Sequence, residues 1–225
     1  MIAENVKEKT AARKACIKKF RHFFPKGFKD QKYIDWERGY KWQAHETFSE
    51  KLNKRAFRKL LEQEKYPEIA SVAINIESKT NLLFSFEKMA LRDGVKSPQG
   101  AEIFAKGLFY LVYGNADLKK RFEGFTESLS LLPRKQTRVL TWPLQTVFGF
   151  IANPHEQIFL KPRVTQAAAI AYQFNFKYRS RPNWETYQSL LNFADEVRGD
   201  TAPLYPQDYI DLQSFIWVLG SSEYE

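Results

Sequence analysis

Three short basic clusters hold the residues best suited to chemistry: Arg134-Lys135 with Arg138, Lys161 with Arg163, and Lys177-Tyr178-Arg179-Ser180-Arg181. Each lies at or just before an expected helix start. There, free backbone N–H groups and the helix dipole add to the pull of the side chains on an anion. Tyr172, Phe174, Phe176, Tyr178 and Trp184 interleave with the third cluster. Cations with flat rings beside them are the means by which proteins grip phosphates and stack unpaired bases. A plainer reading stands beside this one, in which the rings are core and the cations solvated.

A second constellation, Arg38, Trp42, His45, Glu77 and Asp211, is a candidate pocket. In YIDWERGYKWQAHETF, residues 33–48, the helical phase assigns Tyr33, Trp36, Tyr40, Ala44 and Phe48 to an inward stripe. Asp35 with Arg38, and Glu37 with Lys41, read as ordinary helix pairs. Trp42 is then left off the stripe, between Arg38 and His45. Asp208 and Asp211 fall at the start of the last helix, where the dipole favours carboxylates. A buried Asp211 would instead hold an arginine, Arg163 or Arg181, that grips an anion. Glu77-Ser78-Lys79 has the Glu-x-Lys ending seen on a strand of metal-dependent nucleases; on a helix it is a solvated pair.

Other chemistries are excluded by what is missing. The chain has no Gly-x-x-x-x-Gly-Lys, Gly-x-Gly-x-x-Gly or Gly-x-Ser-x-Gly. Cys16 is the single cysteine, so neither a disulfide nor a cysteine-rich zinc site is expected. His155-Glu156 begins like a zinc-protease motif, but Phe159 stands where the second histidine belongs. No metal ligands and no cofactor are assigned.

The elements that must position these residues are helical. The chain has 225 residues, 44% of them hydrophobic and 16% aromatic, which is too apolar for disorder. A basic amphipathic helix is expected over about 4–24, followed by a helical series from Asp30 to about residue 64. Residues 67–76 fit a helix or a strand, and the helical neighbours favour helix. Further helices are expected over 81–93, from Ser97-Pro98 to Tyr113, over 117–131, from Pro133, from Thr141-Trp142-Pro143 to Asn153, and near Pro162, Pro182 and Pro206. Residues 157–160 read as one short extended segment. The fold expected is all-α, a single compact domain of about ten helices over 1–225.

The net charge of +9 is unevenly spread. Residues 1–32 carry ten Lys/Arg against three Asp/Glu, whereas the acidic segment 192–225 carries one against seven. That polarity allows an anionic partner, or self-association of basic head with acidic tail. No run approaches the ~18 apolar residues of a membrane span, and the lysine-rich start lacks a secretory apolar stretch. A soluble, cytoplasmic protein with no membrane partner is expected.

The stretches FLKP (159–162), RPNWETY (181–187) and DLQSFIWV (211–218) resemble those of an uncharacterised family of bacterial proteins, and PRKQTRVLTWP (133–143) belongs to the same likeness. That resemblance implies no activity, cofactor or catalytic residue. The leading expectation is a protein that binds nucleic acid or a phosphorylated ligand through its basic clusters. An enzyme with an aromatic-lined pocket and carboxylate chemistry, and an interaction protein using its charged ends, are the alternatives.

Overall fold

The structure is a computed structural model that describes residues 2–133, 135 and 138–225, with side chains from residue 8 onward. Among the described residues there are eleven α-helices of nine residues or more and no strand. They are α1 (Ile2–Phe23), α2 (Gly39–Lys51), α3 (Lys54–Glu62), α4 (Tyr66–Ser78), α5 (Ser85–Gly94), α6 (Pro98–Tyr113), α7 (Leu118–Leu131), α8 (Trp142–Ala152), α9 (Pro162–Ala171), α10 (Trp184–Asp200) and α11 (Tyr209–Gly220). No helix among these residues is long and apolar enough to cross a membrane.

The helix starts follow capping chemistry. Asn53, Ser97, Asp117, Thr141, Asn183 and Asp208 each accept a backbone N–H of the first turn beyond them. Asn53 also divides the single series expected from Asp30 to about 64 into α2 and α3. The helix expected over 81–93 begins at Ser85, because the Glu87 carboxylate reaches back to the Phe84 N–H at 2.9 Å. Residues 66–78 are helical, so Glu77-Ser78-Lys79 closes α4 and lies on no strand. The short helix expected from Pro133 is absent at the described positions; Pro133, Lys135 and Arg138–Leu140 are non-helical. Residues 157–160, expected to be extended, are neither helix nor strand: the Ile158 and Leu160 amides are taken by the Tyr187 and Thr146 hydroxyls, each at 3.0 Å.

Two helices are interior. α8 is buried from Trp142 to Ile151, and α11 from Tyr209 to Ile216. An apolar surface on every side demands cover on every side, and one continuous hydrophobic cluster runs from Cys16 to Tyr224 around them. The basic head and acidic segment meet within the molecule: Arg13 bonds Asp200 at 3.0 Å and also Glu196, and Lys9 lies 3.7 Å from Glu196.

The start of the 33–48 helix departs from the expected phase. Ile34–Arg38 forms a π-helical turn, which takes in one extra residue and rotates the rest of the helix relative to its start. Trp36 is therefore turned outward, 56% exposed, with the Lys32 ammonium 4.3 Å over its ring. Glu37 and Lys41 take the inward positions instead. They are buried together at 3.0 Å, with Ser214 and Tyr224 hydroxyls at 2.8 and 2.5 Å. Asp35 accepts from Gln31 rather than pairing with Arg38.

α9 crosses α11 closely at Gly220, where a Cβ would stand 2.1 Å from the Val164 carbonyl oxygen and 2.9 Å from the Ala168 nitrogen. Gly220→Ala should therefore lower stability by about 1–3 kcal/mol in urea denaturation. Gly199→Ala, whose Cβ would meet nothing within 4 Å, should cost nothing or stabilise. An unchanged midpoint for Gly220→Ala would contradict the close crossing.

Candidate functional site: an aromatic and cationic cleft

Arg38, Trp42, His45 and Asp211 do come together, but as a filled cluster. The Arg38 guanidinium donates to Asp208 Oδ2 and Asp211 Oδ1, each at 2.7 Å, and lies 5.0 Å over the Trp42 ring. Asp211 also accepts from the Tyr33 hydroxyl at 2.6 Å and the Gln207 amide at 2.8 Å. His45 Nδ1 is 2.9 Å from the Ile151 carbonyl oxygen, and its ring packs on Trp42. The polar groups of this cluster are aimed at the protein itself. Asp211 thus holds an arginine, as a buried carboxylate should, but it is Arg38 rather than Arg163 or Arg181. Glu77 stands apart, buried against Lys88 at 3.4 Å and the Thr80 hydroxyl at 3.3 Å.

The basic clusters are brought together elsewhere. Arg138, Lys161 and Arg163 line one cleft of about 940 Å³, between the α5 start, the residues before α8, the α9 start and the end of α11. Arg138 and Ser180 are shared with an adjoining hollow of about 420 Å³, whose other cation is Arg181. Arg179 faces a third hollow of about 620 Å³ with Lys177 and Lys119, and pairs with Glu185 at 3.0 Å in the open. Lys135 is exposed and lines none of the three; Arg134 lies outside the described residues.

Local chemistry explains the position of each group. Pro162 at the first turn of α9 fixes the chain entering from the extended Lys161, so that Lys161 and Arg163 fall on either side of it. The Lys161 side chain turns inward, 7% exposed, and donates to the Leu82 carbonyl at 2.9 Å. Its ammonium sits 3.4 Å from the centre of the Phe84 ring. Burial pushes the Lys161 amine below its usual value, against the pull of Glu87 and Glu77, with Lys88 adding to the fall. Burial likewise pushes the Glu87 carboxyl up, opposed by the Phe84 amide and Lys161.

The apolar wall is unusual in being open. Phe84 and Phe86 are 56% and 49% exposed, with ring centres 5.7 Å apart and planes inclined by 25°. Trp142, Tyr178 and Trp217 also line the cleft. Trp142 is anchored by its indole N–H to the Arg179 carbonyl at 2.8 Å, which joins the floor of the cleft to the third basic cluster. Sequence reasoning misses Phe84 and Phe86, because NLLFSFEKMALRD reads as an ordinary amphipathic helix. Glu87, three residues after Phe84, is the signal that could move the helix start past Phe84 and free its ring.

The cleft also holds carboxylates, Glu87, Glu223 and Glu225. Glu87 is committed to the Phe84 N–H. Glu223 is fixed at the rim, because Tyr224 beside it is buried against Phe23 and Phe24 and bonded to Glu37. Among the described residues no three His, Cys, Asp or Glu side chains gather as a metal site would need.

Removing Arg38 leaves Asp208 and Asp211 buried without their cation, so Arg38→Ala should cost about 3–5 kcal/mol. Burial already raises the Asp211 carboxyl against the pull of Arg38, and loss of that cation raises it further. The variant should therefore regain stability as pH falls through that raised range, and lose it as pH rises. A loss below about 1 kcal/mol in urea denaturation at neutral pH would contradict the pairing. Compared with known proteins, the chain matches no family model, no curated protein and no solved structure.

Proposed function

We propose that the protein binds a phosphorylated ligand bearing a flat ring, a nucleotide or the nucleotide unit of a nucleic acid, in the 940 Å³ cleft. One observation carries this reading: cations from two separate stretches of sequence, Arg138 and the Lys161–Arg163 pair, share a concavity with two exposed, nearly parallel phenylalanine rings. A ring resting on Phe86, with Phe84 and the Lys161 ammonium behind it, places its phosphate within reach of guanidinium groups that, among the described residues, form no ion pair of their own. Arginine keeps its charge at any physiological pH and presents a fork that fits phosphate oxygens. The cleft is polar at its rim and apolar along one wall, as a site for such a ligand must be.

Glu223 and Glu225 offset part of the positive field, and this makes the reading testable in both directions. With a fluorescent 5′-phosphorylated dinucleotide at low salt, Arg138→Glu with Arg163→Glu should weaken binding about tenfold or more. Glu223→Gln with Glu225→Gln should strengthen it a few-fold. Affinity should fall as salt is raised. No binding at low salt, or binding indifferent to salt and to both pairs of substitutions, would overturn the proposal.

Lys161 adds a pH dependence of fixed sign. Its protonated amine favours the anion, and its loss of a proton lies below the usual 10.5. Binding should therefore weaken on the alkaline side before an exposed lysine would titrate, and Lys161→Met should remove that limb. An alkaline limb no lower than that of an exposed lysine, or one that Lys161→Met leaves in place, would contradict the role.

A further inference from the structure

Resting on the reading above, we infer that the ligand is single-stranded nucleic acid, which leaves the aromatic cleft past Arg138 and Arg181 and runs along Lys177–Arg181 to the third hollow. The cleft and the small hollow adjoin, and the chain step from Ser180 to Arg179 leads on to the third, which shares no lining residue with them. Arg138, Leu140 and Ser180 line both the cleft and the small hollow, and Arg179, next to Ser180, lines the third.

The segment joining them is built to present cations at a regular interval. Between Gln173 and Arg179 burial alternates, with Phe174, Phe176 and Tyr178 half-buried and Gln173, Asn175, Lys177 and Arg179 exposed. The amides of Lys177 and Arg179 are held from below by the Ser189 and Thr186 hydroxyls of α10, each at 3.0 Å. The Thr186 hydroxyl also donates to the Lys177 carbonyl at 2.8 Å. Two successive i→i+2 bonds, Phe176 N–H to the Phe174 carbonyl at 3.0 Å and Tyr178 N–H to the Phe176 carbonyl at 2.9 Å, fold the segment as γ-turns that still send alternate residues to opposite sides. The repeat is somewhat shorter than the roughly 6.6 Å of a strand, and near the separation of successive phosphates along an unstacked strand. Lys177 and Arg179 share that interval on the third hollow, and Arg181, beyond a bend at Ser180, lines the small hollow instead. The Arg179–Glu185 pair is open to solvent and is too weak to hold the guanidinium back from a phosphate.

Strandedness is decided at the other end of the path. A duplex offers phosphates and groove edges but keeps its base faces covered. Phe86 stands open beside the cations, while the Phe84 ring that stacks on it already carries the Lys161 ammonium, and ring-on-ring stacking on Phe86 is available only to unpaired bases. Cations along a groove, with exposed rings at one end, describe a strand rather than a duplex or a free phosphate.

The test uses labelled oligothymidylates from about two to about twelve residues, read by fluorescence anisotropy across salt. Affinity should rise with length until the strand spans the path, and a duplex of the same length should bind about tenfold or more weakly. Lys177→Glu with Arg179→Glu should leave the dinucleotide unaffected, weaken the longest strand about tenfold, and reduce its salt slope by about 1.4, at about 0.7 for each lost phosphate contact. Circular dichroism and a urea midpoint like the wild type's would show that this variant folds. Dinucleotide binding that matches the longest strand, or a long strand insensitive to the pair of substitutions, would overturn the path while leaving the cleft as a nucleotide site. Equal affinity for duplex would overturn the strandedness, and no binding by any probe would overturn both.

Discussion

Asp208 and Asp211 begin a helix that is buried along almost its whole length, and taking two carboxylates out of water costs several kcal/mol for each charge unless a cation is brought with them. Arg38 is that cation. Its fork spans both carboxylates, while the Tyr33 hydroxyl and the Gln207 amide also donate to Asp211. The π-helical turn at Ile34–Arg38 belongs to the same arrangement, since the extra residue brings Tyr33, Glu37 and Lys41 to one inward face. A second buried pair, Glu37 with Lys41, is then satisfied by Ser214 within α11 and by Tyr224 just beyond its end. The π turn, α2 and α11 are thus locked by charge as well as by packing.

The cleft inherits its shape from that lock. α11 carries Gly220 and Trp217 at its end, and the absent side chain of Gly220 lets α9 settle across it. The α9 start then places Lys161 and Arg163 in the cleft, with the Lys161 ammonium against the Phe84 ring, and Tyr224 pins the turn that holds Glu223 at the rim. The walls of the cleft are therefore tied to helices whose positions the buried ion pairs decide. The basic head, by contrast, spends part of its charge on the acidic segment through Arg13, Asp200 and Glu196. Net charge alone therefore says little about where an anion would bind.

Most of the fold is legible in the sequence because its signals are local. Ser97-Pro98, Thr141-Trp142-Pro143 and Pro162 mark helix starts by capping and by fixed backbone angle, Pro182 lies just before the Asn183 cap, and such effects act within one turn. The inward stripe of residues 33–48 fails at Trp36, because a π turn shifts phase without changing composition. Lys41 reads as a surface charge because periodicity carries no information about a partner as distant in sequence as Ser214. For the site, the cations are visible as clusters, but their convergence is not, since it depends on how α8, α9 and α11 pack. Phe84 and Phe86 are hidden for the opposite reason: large apolar residues near a helix start are usually core, and only the packing of the whole chain leaves them outside.

On this account phosphate and ring meet in the cleft rather than along the lysine-rich first helix. The most direct measurement is photocrosslinking of a 4-thiouridine-labelled single strand at low salt, with the crosslinked peptides located by mass spectrometry. The expected crosslinks fall on the peptides carrying Phe84 and Phe86, Arg138 to Trp142, and Tyr178. Crosslinks confined to α1, or none at a salt concentration where electrostatic binding is strongest, would contradict it.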